Sequence, residues 1–364
     1  MIKIKRPTLL LNMEKCLANI HRMASKARAH GLHFEPHFKT HQSAVIGEWF
    51  KNEGVNTITV SSVAMAEYFF RKGWNHITIA FPVNLREVEL INELASKINI
   101  SLLVSSPLTL PYLEKAITGT TGIYIEIDTG GRRSGILPNE TTLLENIAER
   151  VTQNPKLRLV GFLTHAGHTY RAQNREEVNK IHFESLLEMR RIRAHFATLN
   201  PLISIGDTPS CCIASDFTGA DIIRPGNFVF FDLAQYYLGS CDLEDIAVVL
   251  ACPVVALYPH RSEVVVQGGA IHLSREALIA GKQTIYGRAA FLHEKEWEIM
   301  PPGNEVISLS QEHGVIRLEE TFLNKIKTGD LIGVIPVHSC LTAHQAGFYQ
   351  TLNGEIIPKF PLDN

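Results

Sequence analysis

Along the first two thirds of the chain, short runs of apolar and β-branched residues alternate with stretches whose apolar positions recur at helical spacing. The runs fall at residues 33–39, 57–62, 77–83, 101–106, 122–128, 158–165, 202–207 and 221–227, with helical patterns such as 10–30 and 176–200 between them. Continuous apolar strands separated by helices mark parallel strands buried on both faces. Eight such units predict a (β/α)8 TIM barrel, a fold of about 250 residues. The alternative is an open doubly wound sheet, which usually carries a glycine-rich dinucleotide turn after its first strand; none follows here. Beyond about residue 238 the texture changes to closely spaced strand-like runs at 246–258, 262–266, 306–309, 314–317 and 331–337, with Gly268-Gly269 and Pro301-Pro302-Gly303 as turns. The expected division is a barrel domain at 7–238 and a β-rich domain at 239–364, with residues 1–6 packing on the latter.

Bulk properties remove several functions. The 364 residues are 45% apolar and 20% charged with a net charge of -2, which suits a globular protein with an ample core. Nucleic acid and anionic membrane, which need clustered Lys and Arg, are not expected partners. The start Met1-Ile2-Lys3-Ile4-Lys5-Arg6-Pro7 lacks a signal-peptide core, and no apolar run reaches the roughly 18 residues of a membrane span. A cytoplasmic location is therefore expected, with the six cysteines as reduced thiols.

Barrels carry their active sites at the carboxyl ends of the strands. That rule singles out Lys39, Ser61, Ser62, Ser105, Asp128, Arg132, Arg133, His165, Gly167, His168, the run Gly206-Asp207-Thr208 and the run Pro225-Gly226-Asn227. The serines serve equally well as helix caps. Lys39 closes what reads as a buried strand, and a desolvated lysine has a lowered pKa and forms Schiff bases with carbonyls. Two glycine-containing loops, Ser204-Ile205-Gly206-Asp207-Thr208-Pro209-Ser210 and Arg224-Pro225-Gly226-Asn227-Phe228, follow the seventh and eighth runs, where barrels bind phosphate through backbone N–H groups. The Asp207 carboxylate is unsuited to face a phosphate and is expected to cap or turn away. A lysine for an aldehyde and loops for a phosphate together point to pyridoxal 5'-phosphate (PLP).

The runs His37-Phe38-Lys39-Thr40-His41, Ile127-Asp128-Thr129-Gly130-Gly131-Arg132-Arg133-Ser134-Gly135, Arg224-Pro225-Gly226-Asn227, Ser310-Gln311-Glu312-His313-Gly314 and His338-Ser339-Cys340, in this order, resemble the D-threonine aldolase and D-serine dehydratase family. That family shares the PLP barrel of the alanine racemase N-terminal type. The resemblance implies that Lys39 carries the cofactor as a Schiff base and that Arg133 faces the pyridine nitrogen. An arginine there only donates, so it keeps that nitrogen unprotonated and weakens the electron sink. By the same resemblance His165 and Tyr170 stand near cofactor and substrate, with Gly206, Asp207, Thr208, Gly226 and Asn227 in the phosphate loops.

His338-Ser339-Cys340 supplies the second chemistry. On an extended strand residues two apart share a face, so imidazole and thiolate converge on one ion. Soft sulfur with imidazole favours zinc over magnesium, with manganese or magnesium as alternatives. The resemblance assigns the divalent metal to this pair, and Leu341-Thr342-Ala343-His344 after it departs from a common pattern. The family further implies a homodimer with the active site near the subunit interface. The expected activity is a PLP- and metal-dependent lyase for small D-β-hydroxy-α-amino acids. Retro-aldol cleavage of the D-threonine aldolase type is placed first, narrowly ahead of D-serine or D-3-hydroxyaspartate dehydration, and a metal-free racemase or a non-catalytic PLP carrier are the other classes. Cys211, Cys212, His260, His272, His293 and His313 read as ordinary packing or surface residues.

Overall fold

The computed structural model describes residues 4–361, so part of the expectation for residues 1–6 lies outside the described residues. Two compact units are formed, residues 21–39 with 47–226 in one, and residues 4–20, 40–46 and 227–361 in the other.

The first unit holds eight parallel strands, His33–Phe34, Ile58–Val60, His76–Pro82, Asn99–Val104, Thr121–Ile127, Leu157–Thr164, Leu202–Ile205 and Ile222–Ile223. They pair in sequence order, and His33–Phe34 pairs with Ile222–Ile223. The ring closes through a single parallel bridge between His37 and Thr59, carried by Phe38 N–H to Thr59 O at 2.8 Å and Thr59 N–H to Pro36 O at 3.0 Å. All eight predicted strands are present. The first is shorter than expected because Pro36 has no N–H for the ladder and the chain turns after His37. Inside the barrel Leu103, Tyr124, Leu163 and Ile222 form a buried cluster flanked by Ala80 and Val160. Outside it, fully buried Phe38 meets Phe50, Phe69 and Trp74 with ring centroids 5.0–5.1 Å apart. Each such pair adds roughly 0.5–1.5 kcal/mol beyond its buried area. Phe38 thus nails the chain down one residue before Lys39, and Phe38→Ala would release that anchor at a cost of about 3–5 kcal/mol.

The second unit is built on a ten-stranded sheet in which Glu263–Gln267, His313–Arg317, Glu305–Leu309, Gly287–Leu292, Leu331–Pro336, Val248–Tyr258, Thr8–Leu11, Phe348–Thr351 and Ile356–Pro358 lie side by side, with Trp297–Ile299 beside Gly287–Leu292. The predicted helix at 10–30 starts later, at Met13. Leu10 and Leu11 belong instead to the strand Thr8–Leu11, antiparallel to Val248–Ala251. The compact units therefore differ from the expected division at 238/239. The amino-terminal strand lends its buried apolar side chains to the β-rich sheet, and residues 40–46 join the same unit.

Candidate functional site

The barrel residues gather around Lys39, which lies in a turn with its side chain exposed rather than at the end of a buried strand. Its amide donates to His37 Nδ1 at 3.4 Å. His37, which the sequence reading did not assign, is buried. Burial holds its pKa well below the usual histidine range, helped by the positive charges of Lys39, Arg224 and Arg133 and by His165. His165 follows the sixth strand, and its Nδ1–H donates to the Gly206 carbonyl. Burial, then Lys39, Arg133 and Arg224, bring its pKa to about 3 against the opposing pull of that carbonyl. Both imidazoles are therefore neutral at pH 7, and the Gly206 bond leaves Nε2 of His165 as the open acceptor.

Arg133 is carried on a loop folded by Asp128, whose Oδ1 accepts from Gly130 N–H at 2.9 Å and from Arg132 N–H at 3.0 Å. That pair of bonds holds Arg132 at φ 54, a left-handed conformation that side chains adopt reluctantly. The loop is tied again by Ser134 Oγ donating to Glu126 Oε1 at 3.0 Å. Arg224, likewise unassigned by the sequence reading, is almost fully buried and donates to Ser204 Oγ at 2.7 Å and to the Thr164 carbonyl at 2.9 Å. Its backbone is the reason for Gly206, since a Cβ at 206 would lie 2.9–3.0 Å from Arg224 Cβ, C and Cα.

The loop expected to hold a phosphate is more engaged with its neighbours than its sequence suggests. Asp207 caps the helix Thr208–Ile213 through Ser210 N–H at 2.8 Å and also accepts from Thr169 Oγ1 at 2.9 Å. Thr208 N–H donates to Tyr170 Oη at 3.3 Å, and the Tyr170 ring lies 6.3 Å from that of His165. Thr208 Oγ1 is buried without a hydrogen-bond partner. An exposed lysine, two arginines felt at neutral histidines and that unpaired hydroxyl suit an anionic, aldehyde-bearing cofactor such as PLP.

In the second unit the strand Leu331–Pro336 ends before His338, which is extended at φ -133, ψ 100 and precedes the helix Ser339–Gln345. The motif thus does not lie on a strand, contrary to the expectation. Imidazole and thiol are hydrogen-bonded to each other across a strand-to-helix turn. Burial resists the charge on His338, but the bond to and charge of Cys340, then Asp232 and Glu276, raise its pKa to about 9. Burial pushes the Cys340 thiol up, yet His338 and the Thr40 hydroxyl outweigh it and leave its pKa lowered. Thr40 Oγ1 is 3.2 Å from Cys340 Sγ, and Glu276 Oε2 is 4.0 Å from His338 Nδ1. Buried Asp232 accepts from Ser339 N–H at 2.9 Å, Ser339 Oγ at 3.1 Å and Asn227 Nδ2 at 2.6 Å. Asn227 Nδ2 also reaches Cys340 Sγ at 3.5 Å, and Gly226 is the last barrel residue before it.

Among the described residues no group of three or more His, Cys, Asp and Glu is arranged to hold an ion. A thiol disposed to lose its proton beside an imidazole nonetheless suits a soft divalent metal, with water or substrate oxygens filling the rest of its shell. Elsewhere Cys211 and Cys212 lie in the helix Thr208–Ile213, and His313 opens the strand His313–Arg317 with an exposed side chain. No helix among the described residues is long and apolar enough to cross a membrane.

The family model described as alanine racemase, N-terminal domain, matches residues 11–234, and the putative serine dehydratase domain matches residues 247–352. The chain belongs to this family. Its curated relatives, dehydratases and aldolases of D-amino acids, are lyases, and the chain is a PLP-dependent lyase. It is 28% identical to D-threo-3-hydroxyaspartate dehydratase of Delftia sp. (strain HT23), over 97% of this chain and 95% of that protein. It is also 28% identical to D-serine dehydratase of Dictyostelium discoideum, over 93% and 90%. D-threonine aldolase of Arthrobacter sp. is 24% identical over 87% and 81%. The solved structure of the Delftia dehydratase matches with a TM-score of 0.91 at 26% identity, over 99% of this chain and 98% of that one. A cysteine-to-alanine mutant of that enzyme in the metal-free form gives 0.92.

Proposed function

We propose that this PLP-dependent lyase is a divalent-metal-dependent dehydratase of small D-β-hydroxy-α-amino acids, D-3-hydroxyaspartate or D-serine, yielding a keto acid and ammonia. The observation that carries the reading is the joint presence of the Lys39, His37, His165, Arg133 cluster and the hydrogen-bonded His338–Cys340 pair in one chain. Greater identity to the Delftia and Dictyostelium dehydratases than to the aldolase supports dehydration ahead of the retro-aldol reaction that the sequence alone ranked first. When bound, PLP on Lys39 supplies an electron sink for charge at Cα, and an ion on His338 and Cys340, zinc favoured, supplies a Lewis acid for the β-hydroxyl.

The chain's residues divide the remaining work. The Lys39 amine is the base for the Cα proton, on an exposed turn that gives it reach. Neutral His37 and His165 add no competing acid beside it, and His165 Nε2 can accept a hydrogen bond while its Nδ1 is anchored on Gly206. Arg133, on the loop shaped by Asp128, is the positive group for the cofactor ring. Thr40 Oγ1, 3.2 Å from Cys340 Sγ, helps hold the thiol in place. A homodimer belongs to the proposal: Phe81, Leu108, Tyr112 and Leu137, at or beyond the carboxyl ends of consecutive barrel strands, are exposed apolar residues for a second copy to cover.

The test is incubation of PLP- and zinc-loaded protein with D-serine, D-3-hydroxyaspartate and D-threonine, measuring keto acid, ammonia, glycine and aldehyde separately. Keto acid with ammonia is expected. Glycine with an aldehyde would return the retro-aldol reaction to first place, and racemised substrate without cleavage would overturn both.

A further inference from the structure

Lys359 is a lysine in an unusual place. It follows the strand Ile356–Pro358 and is only 6% exposed. Its ammonium donates to the carbonyls of Ala343 and, at 2.6 Å, Ala346, with that of His344 at 3.4 Å. The Tyr349 ring faces it, 5.6 Å from Nζ to centroid. Those carbonyls lie at the carboxyl end of the helix Ser339–Gln345, where unpaired acceptors and the helix dipole both favour a cation. The same helix presents Cys340 in its first turn and has His338 at its cap. Its other end is held by the buried carboxylate of Asp232 on Ser339. A seven-residue helix has little stability of its own, so its position depends on what grips its ends.

We propose that Lys359 is a positioning residue for the metal pair: by clamping the carboxyl end of this helix it fixes the distance and angle at which Cys340 meets His338, and so sets metal affinity. The inference rests on the proposed metal role of His338 and Cys340. Neighbouring bonds support the clamp, because Gln42 Nε2 meets His344 Nδ1 at 3.1 Å, Phe360 N–H donates to the Gln42 carbonyl at 2.6 Å and Ser43 Oγ donates to the Pro358 carbonyl at 2.7 Å. Helix, 40–43 segment and carboxyl-terminal strand are thereby tied into one frame. Outer partners of metal ligands commonly change affinity about 10- to 100-fold when removed.

The experiment measures the zinc dissociation constant of PLP-loaded protein by competition with a chromophoric chelator, together with the sulfur-to-cobalt absorption band of the cobalt-substituted form. Lys359→Met should raise the zinc dissociation constant about 10- to 100-fold and shift or weaken the cobalt band, while the cofactor absorbance at Lys39 stays as in the wild type. Lys359→Arg, which keeps charge and donors, should restore most of the affinity. If Lys359→Met yields no folded protein, Lys359→Gln, neutral but still a donor, should fall between the wild type and that range. A folded neutral variant with wild-type zinc affinity and cobalt spectrum overturns the clamp. A wild type that binds no zinc overturns the metal assignment and the clamp with it, so the two failures are told apart by the wild type alone.

Discussion

Replacing Asp232 by alanine probes how firmly the cap of the metal motif is held. The carboxylate is 1% exposed and accepts from Ser339 N–H and Oγ, Asn227 Nδ2 and, as the cap of the helix Leu233–Leu238, Gln235 N–H at 2.9 Å. Two of these donors have other recourse. Asn227 Nδ2 retains Ser339 Oγ at 3.2 Å and Cys340 Sγ at 3.5 Å, and the serine hydroxyl can rotate. The loss therefore falls on two backbone amides. Gln235 N–H is a helix-cap bond of about 1 kcal/mol, and the fully buried Ser339 N–H costs ~1–3 kcal/mol when left unpaired. Asp232→Ala should thus destabilise by about 3 kcal/mol, a large part of a total of roughly 5–15 kcal/mol, yet leave the protein folded at 25 °C. Urea titration followed by circular dichroism gives the stability, and chelator competition gives the zinc affinity of the same sample. A loss below about 1 kcal/mol would show that the amides find other partners. A full loss with unchanged zinc affinity would show that the backbone at Ser339 does not govern the motif.

Borohydride treatment of the PLP-loaded enzyme should fix the cofactor on Lys39, and peptide mapping that finds it on another lysine removes the assignment. His338→Ala and Cys340→Ala should each abolish lyase turnover while the cofactor absorbance persists; chelation should reproduce the loss in the wild type and added zinc reverse it there but poorly in the variants. Full turnover in metal-free protein, verified by elemental analysis, is the contrary result. The pKa values of His41 and His165 are each lowered to about 3, mainly by burial. An unfolded histidine takes up its proton near pH 6.5. Their contribution is therefore fully present above about pH 6.5 and declines as the pH falls toward 3, because only the unfolded chain takes up the protons. The urea midpoint should fall through that window, and His165→Gln should flatten the slope; an unchanged slope contradicts the burial argument.

The barrel was legible because the parallel strands fall in short runs rich in apolar and β-branched residues and the segments between them keep helical spacing. What stayed hidden depends on partners far along the chain. Nothing around Leu10 and Leu11 separates an early helix from a strand, since the choice is made by Val248 and Val249 opposite them. His338-Ser339-Cys340 was read as a strand because the preceding run, Leu331–Pro336, is one, and the turn into a helix rests on Asp232, more than a hundred positions earlier. His37 and Arg224 lay inside quoted motifs, but their roles follow from burial beside Lys39 and His165, which local pattern does not report. Arg133 stood out by its glycine-rich loop, while the device that shapes that loop, Asp128 folding back on Gly130 and Arg132, is readable only in three dimensions.

The interleaving of the compact units also bears on how this chain is made. Thr8–Leu11 leaves a ribosome well over two hundred residues before its neighbours, Val248–Ala251 on one side and Gln350 and Thr351 on the other. At about 5–20 residues per second it waits some tens of seconds for the second of them. During that interval three leucines destined for complete burial are unprotected, a natural target for a holding chaperone. Trimming the first dozen residues consequently injures the sheet beneath His338 and Cys340 rather than the barrel, and an affinity tag belongs ahead of Thr8 only with a spacer long enough to let that strand reach the sheet's middle.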